Sequence, residues 1–284
     1  MRTRTALMAL ATLALAATVA AQQAPRMPNT ADLYCSGWFT DEPVPRDTYL
    51  ISGEESEVKT VFAEGDYVYL NKGSNQGARV GDEFLIVRPS KDESRPRWFY
   101  AQDALERAMG RLYADKGRVR IVVVQPDVSI ARVVYSCDSM RRGDLALPYA
   151  ERPAPALRSQ AFDRFAPPSG KPVAMLVQSK DFRQLVGQND IVYINLGSAQ
   201  GVQVGDYVRI FRYPGSRHES VYVERNRHYR LYGFGSTPTR YRWDDLPREV
   251  LGEGIVLRTS PNAATVLITY SLRGIYLGDY IEIQ

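Results

Sequence analysis

The chain has 284 residues, 44% hydrophobic and 24% charged, with two cysteines and a formal charge of +4. That length holds two domains of ordinary size. Arg2 and Arg4 fall in an expected leader, so the mature form carries +2 and the sequence pI of about 9.0 overstates its basicity. Together with export, this argues against a nucleic-acid partner.

Residues 1–21 read as a secretory signal: Arg2 and Arg4 form its positive end, 6–17 is an apolar run too short to span a bilayer, and Val19-Ala20-Ala21 supplies the cleavage site. No cysteine follows that site, and no later segment approaches about 20 apolar residues. The expected product is exported, periplasmic and without an integral membrane segment. Residues 22–47 are expected to pack on the first of two modules.

The first module, 48–147, opens with the β-branched and aromatic run 67–70. Turn residues Gly73, Gly77, Gly81 and Asp82 follow, then a returning strand at 84–87. Residues 101–109 form the one amphipathic helical stretch. Strands at 118–124 and 130–135 pair across Gln125-Pro126-Asp127, and Gly143-Asp144 turns into a closing strand. Cys35 and Cys137, an even pair in an oxidising compartment, predict one disulfide; the alternative is two buried thiols on neighbouring strands.

Residues 148–172 hold six prolines and read as a linker. Leu157, Phe162 and Phe165 within it suggest a helical turn that packs onto a module. The second module, 173–284, repeats the plan. It has strands at 191–194 and 207–211, turn residues Gly197, Gly201, Gly205 and Asp206, and a pair at 251–257 and 264–270 across Ser260-Pro261-Asn262. A closing Gly278-Asp279 ends it.

The resemblance between the modules is direct. The run from Asp66 to Asp82 returns from Asp190 to Asp206 at an offset of 124, and the run from Val134 to Asp144 returns from Thr269 to Asp279 at 135. The second copy therefore holds 11 extra residues in its middle. Short, evenly spaced strands in duplicate predict an all-β fold of two tandem small antiparallel barrels, SH3-like, from an internal duplication.

The motif Asn-x-Gly-Ser-x-x-Gly-Val-x-x-Gly-Asp, followed by Gly-x-Val, Ala-x-Val-x-Tyr-Ser and a last Gly-Asp, resembles the C-terminal domain of flagellar assembly protein T. It is also similar to the barrel modules found beside LysM domains in bacterial envelope proteins. Asn195, Gly197, Ser198, Gly201, Val202, Gly205 and Asp206 carry the likeness; the first copy departs from it with Ala78. The resemblance implies a periplasmic structural or binding module without catalysis. No LysM repeat is recognisable, so peptidoglycan binding by that route does not carry over.

Reactive motifs are missing from the sequence: there is no Gly-x-Ser-x-Gly, His-Glu-x-x-His, Cys-x-x-Cys or phosphate loop. His218-Glu219 begins a zinc-like motif that Tyr222 breaks, so no metal and no cofactor are expected. Arg142-Gly143-Asp144 spells an adhesion tripeptide, but its counterpart Leu277-Gly278-Asp279 marks it as a turn. Asp66, Asp82, Asp190 and Asp206 are acids of the kind that act on glycans, yet each adjoins a turn where Asp caps backbone.

The strongest binding candidate is the insert at 213–248, with Arg217, Tyr222, Arg225, Arg227, Arg230, Tyr232, Tyr241 and Trp243. The first module has a shorter version with Arg95, Arg97, Trp98, Phe99 and Tyr100. Rings give contact area at low entropy cost, and guanidinium groups fork onto carboxylates or phosphates. The competing reading is a long hairpin whose rings merely cover the barrel. The sequence thus points to a non-catalytic exported envelope protein that binds a protein partner or an anionic cell-wall polymer. The rivals are a carboxylate-dependent enzyme acting on envelope glycan and a small-ligand carrier. The oligomeric state stays open.

Overall fold

A computed structural model describes residues 26–94, 97–158, 162–213 and 247–284. Helix α1 (Thr30–Tyr34) and strand β1 (Trp38–Thr40) come first. The first repeat holds β2 (Leu50–Gly53), β3 (Val61–Phe62), β4 (Tyr67–Leu70), β5 (Glu83–Ser90), α2 (Gln102–Met109), β6 (Arg111–Val124), β7 (Ser129–Ser136), β8 (Met140–Arg141) and β9 (Leu145–Pro148). The second holds β10 (Val173–Ser179), β11 (Leu185–Val186), β12 (Ile191–Ile194), β13 (Tyr207–Arg212), β14 (Glu249–Ser260), β15 (Ala263–Ser271), β16 (Ile275–Tyr276) and β17 (Tyr280–Ile283).

The fold is all-β, and the duplication is written in its topology. The second half is a closed barrel in the order β10-β12-β15-β14-β13-β17; the first half runs β2-β4-β7-β6-β5-β9, the same order strand for strand. Two closed barrels were expected, and the first half differs. Its end strands meet at one bridge, Tyr49 to Leu145, where β10 and β17 pair through three residues, Val173 to Met175. The cause is length. Leu50 and Leu176 hold the same register against Leu70 and Ile194, but β10 starts three residues earlier.

Alternation along the strands builds the cores. On β4, Val68 and Leu70 face the first core with Phe84, Ile86, Val119 and Ile121; on β12, Val192 and Ile194 face the second. Tyr67 and Tyr69 on the outer side of β4 stay half-buried, whereas Ile191 and Tyr193 are buried, because the first half covers them.

The glycines of the shared turn do two different jobs. Gly77 and Gly201 sit in the left-handed region at φ 80° and 83°, with open space around them. Gly73 and Gly197 are extended, but a Cβ would lie 2.3 Å from the Pro126 carbonyl oxygen and 2.0 Å from that of Ser260. Each repeat also closes with a forked ion pair absent from the sequence reading. Arg88 donates from Nε and Nη2 to Asp144 at 2.6 and 2.8 Å, and Arg212 does the same to Asp279 at 2.6 Å for both.

The segment before β2 was expected to pack on the first module; it lies between both. Strand β1 pairs with β6, Trp38 opposite Tyr113, and all three of its residues are buried. Trp38 stacks on Tyr113 and packs with Leu85 and Val87 of the first half, while Phe39 packs edge-on against Tyr193 of the second. A Cys35–Cys137 disulfide ties this segment to the end of β7. In the linker no helix forms among the described residues: Phe162 packs on Tyr270, but Phe165 is 84% exposed. Ala166, Pro167 and Ser169 are held instead by Arg248, Arg209 and Glu282.

The bridge closes a sequence separation of 102 residues. In the chain-entropy account such a loop contributes about 4–5 kcal/mol. The double variant C35S/C137S should therefore lower the urea unfolding midpoint by a corresponding amount. Among the glycines, Gly201→Ala should cost roughly 1–2 kcal/mol of left-handed strain. Gly197→Ala should cost more, because the facing backbone must move, and comparing the two midpoints checks the order.

Candidate binding cleft at the seam of the two halves

The connection from β5 to β6 leaves the first half and lands on the second. Phe99 is fully buried in the second core, and Trp98, Ala101 and Leu105 pack against it. Helix α2 is then stitched down by amides. The Gln102 Nε2 donates to the Val177 carbonyl at 3.1 Å, and Gln178 Nε2 donates to Glu106 Oε1 at 3.1 Å. Gln102 Oε1 accepts the Trp98 backbone N–H at 2.9 Å.

Beside α2 the two halves leave an open cleft of about 930 Å³, walled by the end of β5, α2, the start of β6, β10 and Phe182. Phe182 holds φ at +56°, a left-handed value that costs a non-glycine residue energy and that concentrates at functional positions. Arg97 pairs with Asp103, and Asp92 accepts from the Ser94 backbone and hydroxyl. Lys91, Arg107 and Arg111 also line the cleft, and no ion pair is formed by any of them among the described residues. With Arg97 and Asp103 paired, the cleft carries three cations, Lys91, Arg107 and Arg111, against two acids, Asp92 and the half-buried Glu106. Burial holds Glu106 above its ordinary carboxyl range, Asp103 and Asp92 adding to the effect, while the bonds from Gln178 and Gln102 oppose it.

Deeper in the seam lies a second polar group. Asp115 is 5% exposed; its Oδ2 accepts the Gly37 N–H at 2.8 Å, and its Oδ1 lies 3.9 Å from Arg258 Nη1. Arg258 lies over the Trp38 ring, its Cζ 3.5 Å from the centroid. Burial lowers Arg258 to about 9, so it stays charged at neutral pH; burial also raises Asp115 against the pull of Arg258. This pair is packed rather than accessible and belongs to the joint, not to a ligand site.

The recurring acids are engaged in turns. Asp66, Asp82, Asp144, Asp190, Asp206 and Asp279 each accept, through Oδ2, the backbone N–H of the residue three places earlier, at 2.7–2.9 Å. Of the binding residues read from sequence, Arg97 lines the cleft, while Trp98 is an anchor between the halves and Tyr100 is 87% exposed. Arg217, Tyr222, Arg225, Arg227, Arg230, Tyr232, Tyr241 and Trp243 lie outside the described residues, as does the leader. Lys91, Arg107, Arg111, Glu106 and Gln178 were missed. They come from four separate elements, and only the position of the β5–β6 connection, matching that of the longer insert, pointed towards them.

No helix among the described residues is long and apolar enough to cross a membrane, and no group of three His, Cys, Asp or Glu side chains there is placed to hold a metal ion. No protein family and no curated protein matches the chain.

Glu106 gives a pH signature. Its carboxyl releases its proton near 4.5 in the unfolded chain and later in the fold, so the unfolded state binds fewer protons in between. Its contribution to stability is full below that value and falls as pH rises through the folded value. Glu106→Gln keeps an acceptor for Gln178 and removes the charge. The variant should match the wild type near pH about 4 and exceed it near pH about 7 in urea unfolding; a constant difference across that range refutes the assignment.

Proposed function

We propose that the protein is a non-catalytic, exported module of the bacterial envelope that holds a carboxylate-rich partner, a protein surface or an anionic cell-wall polymer, in the seam cleft. Its scaffold is read as two tandem SH3-like barrels, the first joined end to end by a single bridge. The single observation that carries this reading is the convergence on one open cleft of Lys91, Arg107 and Arg111, none of which forms an ion pair among the described residues. Guanidinium pairs there fit carboxylates in a forked geometry, and the paired Arg97 adds a further donor. The disulfide supports an oxidising compartment. The backbone bonds of the six turn aspartates weigh against their use as glycan-cleaving acids.

The test is fluorescence anisotropy with a labelled poly-glutamate peptide and the protein purified after export from full-length expression. The double variant R107S/R111S should weaken binding about tenfold or more and flatten its salt dependence. Its melting temperature should barely change, because exposed charges contribute only about 0–1 kcal/mol. Equal binding by the folded variant, or no binding by the wild type at low salt, overturns the reading.

A further inference from the structure

The cleft is lined by acceptors as well as cations, and the two lie at different depths. Along α2, Gln102, Asp103, Glu106 and Arg107 share one face, three and four residues apart. Asp103 is engaged by Arg97, which leaves Glu106 as the carboxylate of that wall. Both amides that hold Glu106 reach the same oxygen, Oε1: Gln178 Nε2 at 3.1 Å and Gln102 Nε2 at 3.4 Å. Among the described residues Oε2 accepts no hydrogen bond, and Glu106 forms no ion pair. Asp92, in the loop after β5, is similar. Ser94 donates to its Oδ1 from the N–H at 3.0 Å and from the hydroxyl at 2.6 Å, and Oδ2 is buried with no hydrogen-bond partner. The charge of Asp92 acts on Glu106, so the two carboxylates are neighbours in the cleft. Lys91, Arg107 and Arg111 are exposed at the rim, while Glu106 is half-buried.

This layout sorts anionic partners. A plain polycarboxylate meets the rim cations but also presses like charge on Glu106 and Asp92, and neither open oxygen gains a donor. A neutral hydroxyl would donate but leave both charges uncompensated. A cationic donor meets both needs. Only single carboxylate oxygens are open, one on each acid, so a fork of two parallel donors finds no matching pair. A primary ammonium, a point charge with three donors, fits them. Its methylene stem would pass the rim beside Phe39, Leu112 and Phe182, the apolar part of the lining. Resting on the cleft reading above, we propose that the partner segment is zwitterionic at the contact: an ammonium side chain beside its carboxylates is received by Glu106 and Asp92, while Lys91, Arg107 and Arg111 take the carboxylates. Glu106 is then the residue that selects among acidic partners, whereas the cations supply an attraction that all of them share.

The experiment is fluorescence anisotropy at low salt on the protein purified after export, with three labelled peptides. One is poly-glutamate, one is the same chain with a central lysine, and one is that chain with the lysine acetylated, which keeps the stem and removes the charge. The wild type should bind the lysine peptide roughly three- to tenfold tighter than the acetylated one, although the acetylated peptide is the more anionic. Glu106→Gln keeps an acceptor for Gln178 and removes the charge. In that variant the lysine preference should fall to about unity, and poly-glutamate should bind more tightly than it does to the wild type. The proposal is overturned, with the cleft reading intact, if R107S/R111S weakens every peptide while the wild type binds all three alike or a folded Glu106→Gln protein keeps the wild-type preference. If R107S/R111S weakens none of them, the cleft reading fails and this proposal falls with it. Should Glu106→Gln melt early, Asp92→Asn reads the same preference, because its Oδ1 stays as the acceptor for Ser94.

Discussion

Strand β1 is buried on both faces, and the joint between the two halves depends on it. It hydrogen-bonds to β6 as an added strand, so the first half owns its backbone. The second half then grips the carbonyls of the same segment. Tyr193 donates to Ser36, Thr265 to Gly37 and Ser260 to Phe39, at 2.7, 3.0 and 2.6 Å. These bonds satisfy the carbonyls of Ser36, Gly37 and Phe39, so burying the segment does not cost the desolvation of those three groups. Burying Trp38 and Phe39 adds roughly 1.5–3 kcal/mol each of apolar stabilisation. The disulfide holds the arrangement from one side and the Asp115–Arg258 pair from the other.

That pair is costly, and its position explains why it is kept. Two charges in a dry interior repel solvent loss more than they attract each other unless well bonded. Here Asp115 takes an N–H from Gly37, and Arg258 spreads its charge over Trp38. The contacts are made to Gly37 and Trp38, so the pair is placed only when that segment is seated.

The cleft follows from the same joint. Because β1 and α2 cross the seam, the halves meet along part of their length and diverge beside α2, leaving a concave space walled by both. Part of its wall is set by helix and strand backbones, and the rest by the loop that carries Lys91, Asp92 and Arg97 and by Phe182, whose left-handed backbone turns the wall. An anionic segment placed there would meet cations from the loop after β5, from α2 and from β6 together, which none of these alone presents. The Arg248–Glu282–Arg209 cluster on the far side does a different job: both guanidinium groups reach linker carbonyls, and burial of Glu282 is outweighed by its two arginines.

The sequence by itself determined the strand plan, because alternation and turn glycines are local. The run 67–70 and its copy, Gly77 and Gly201, and the six capping aspartates all act through neighbours within a few residues. It also limited any disulfide to one pairing, while the structure decided against two buried thiols by bringing Cys35 and Cys137 together. The forked pairs of Arg88 and Arg212 were not read although the two arginines recur at the offset of 124, because nothing local distinguishes an arginine that meets an aspartate more than 50 residues away. Only the tertiary structure decided where residues 36–40 go, that Phe99 plugs the other half, that Trp98 is an anchor, and that the ends of the first sheet meet at one bridge rather than along a ladder. Each of these depends on which surface arrives opposite, through contacts spanning tens to hundreds of residues. Periodicity says which side of a strand is apolar; it does not say which distant element will cover it.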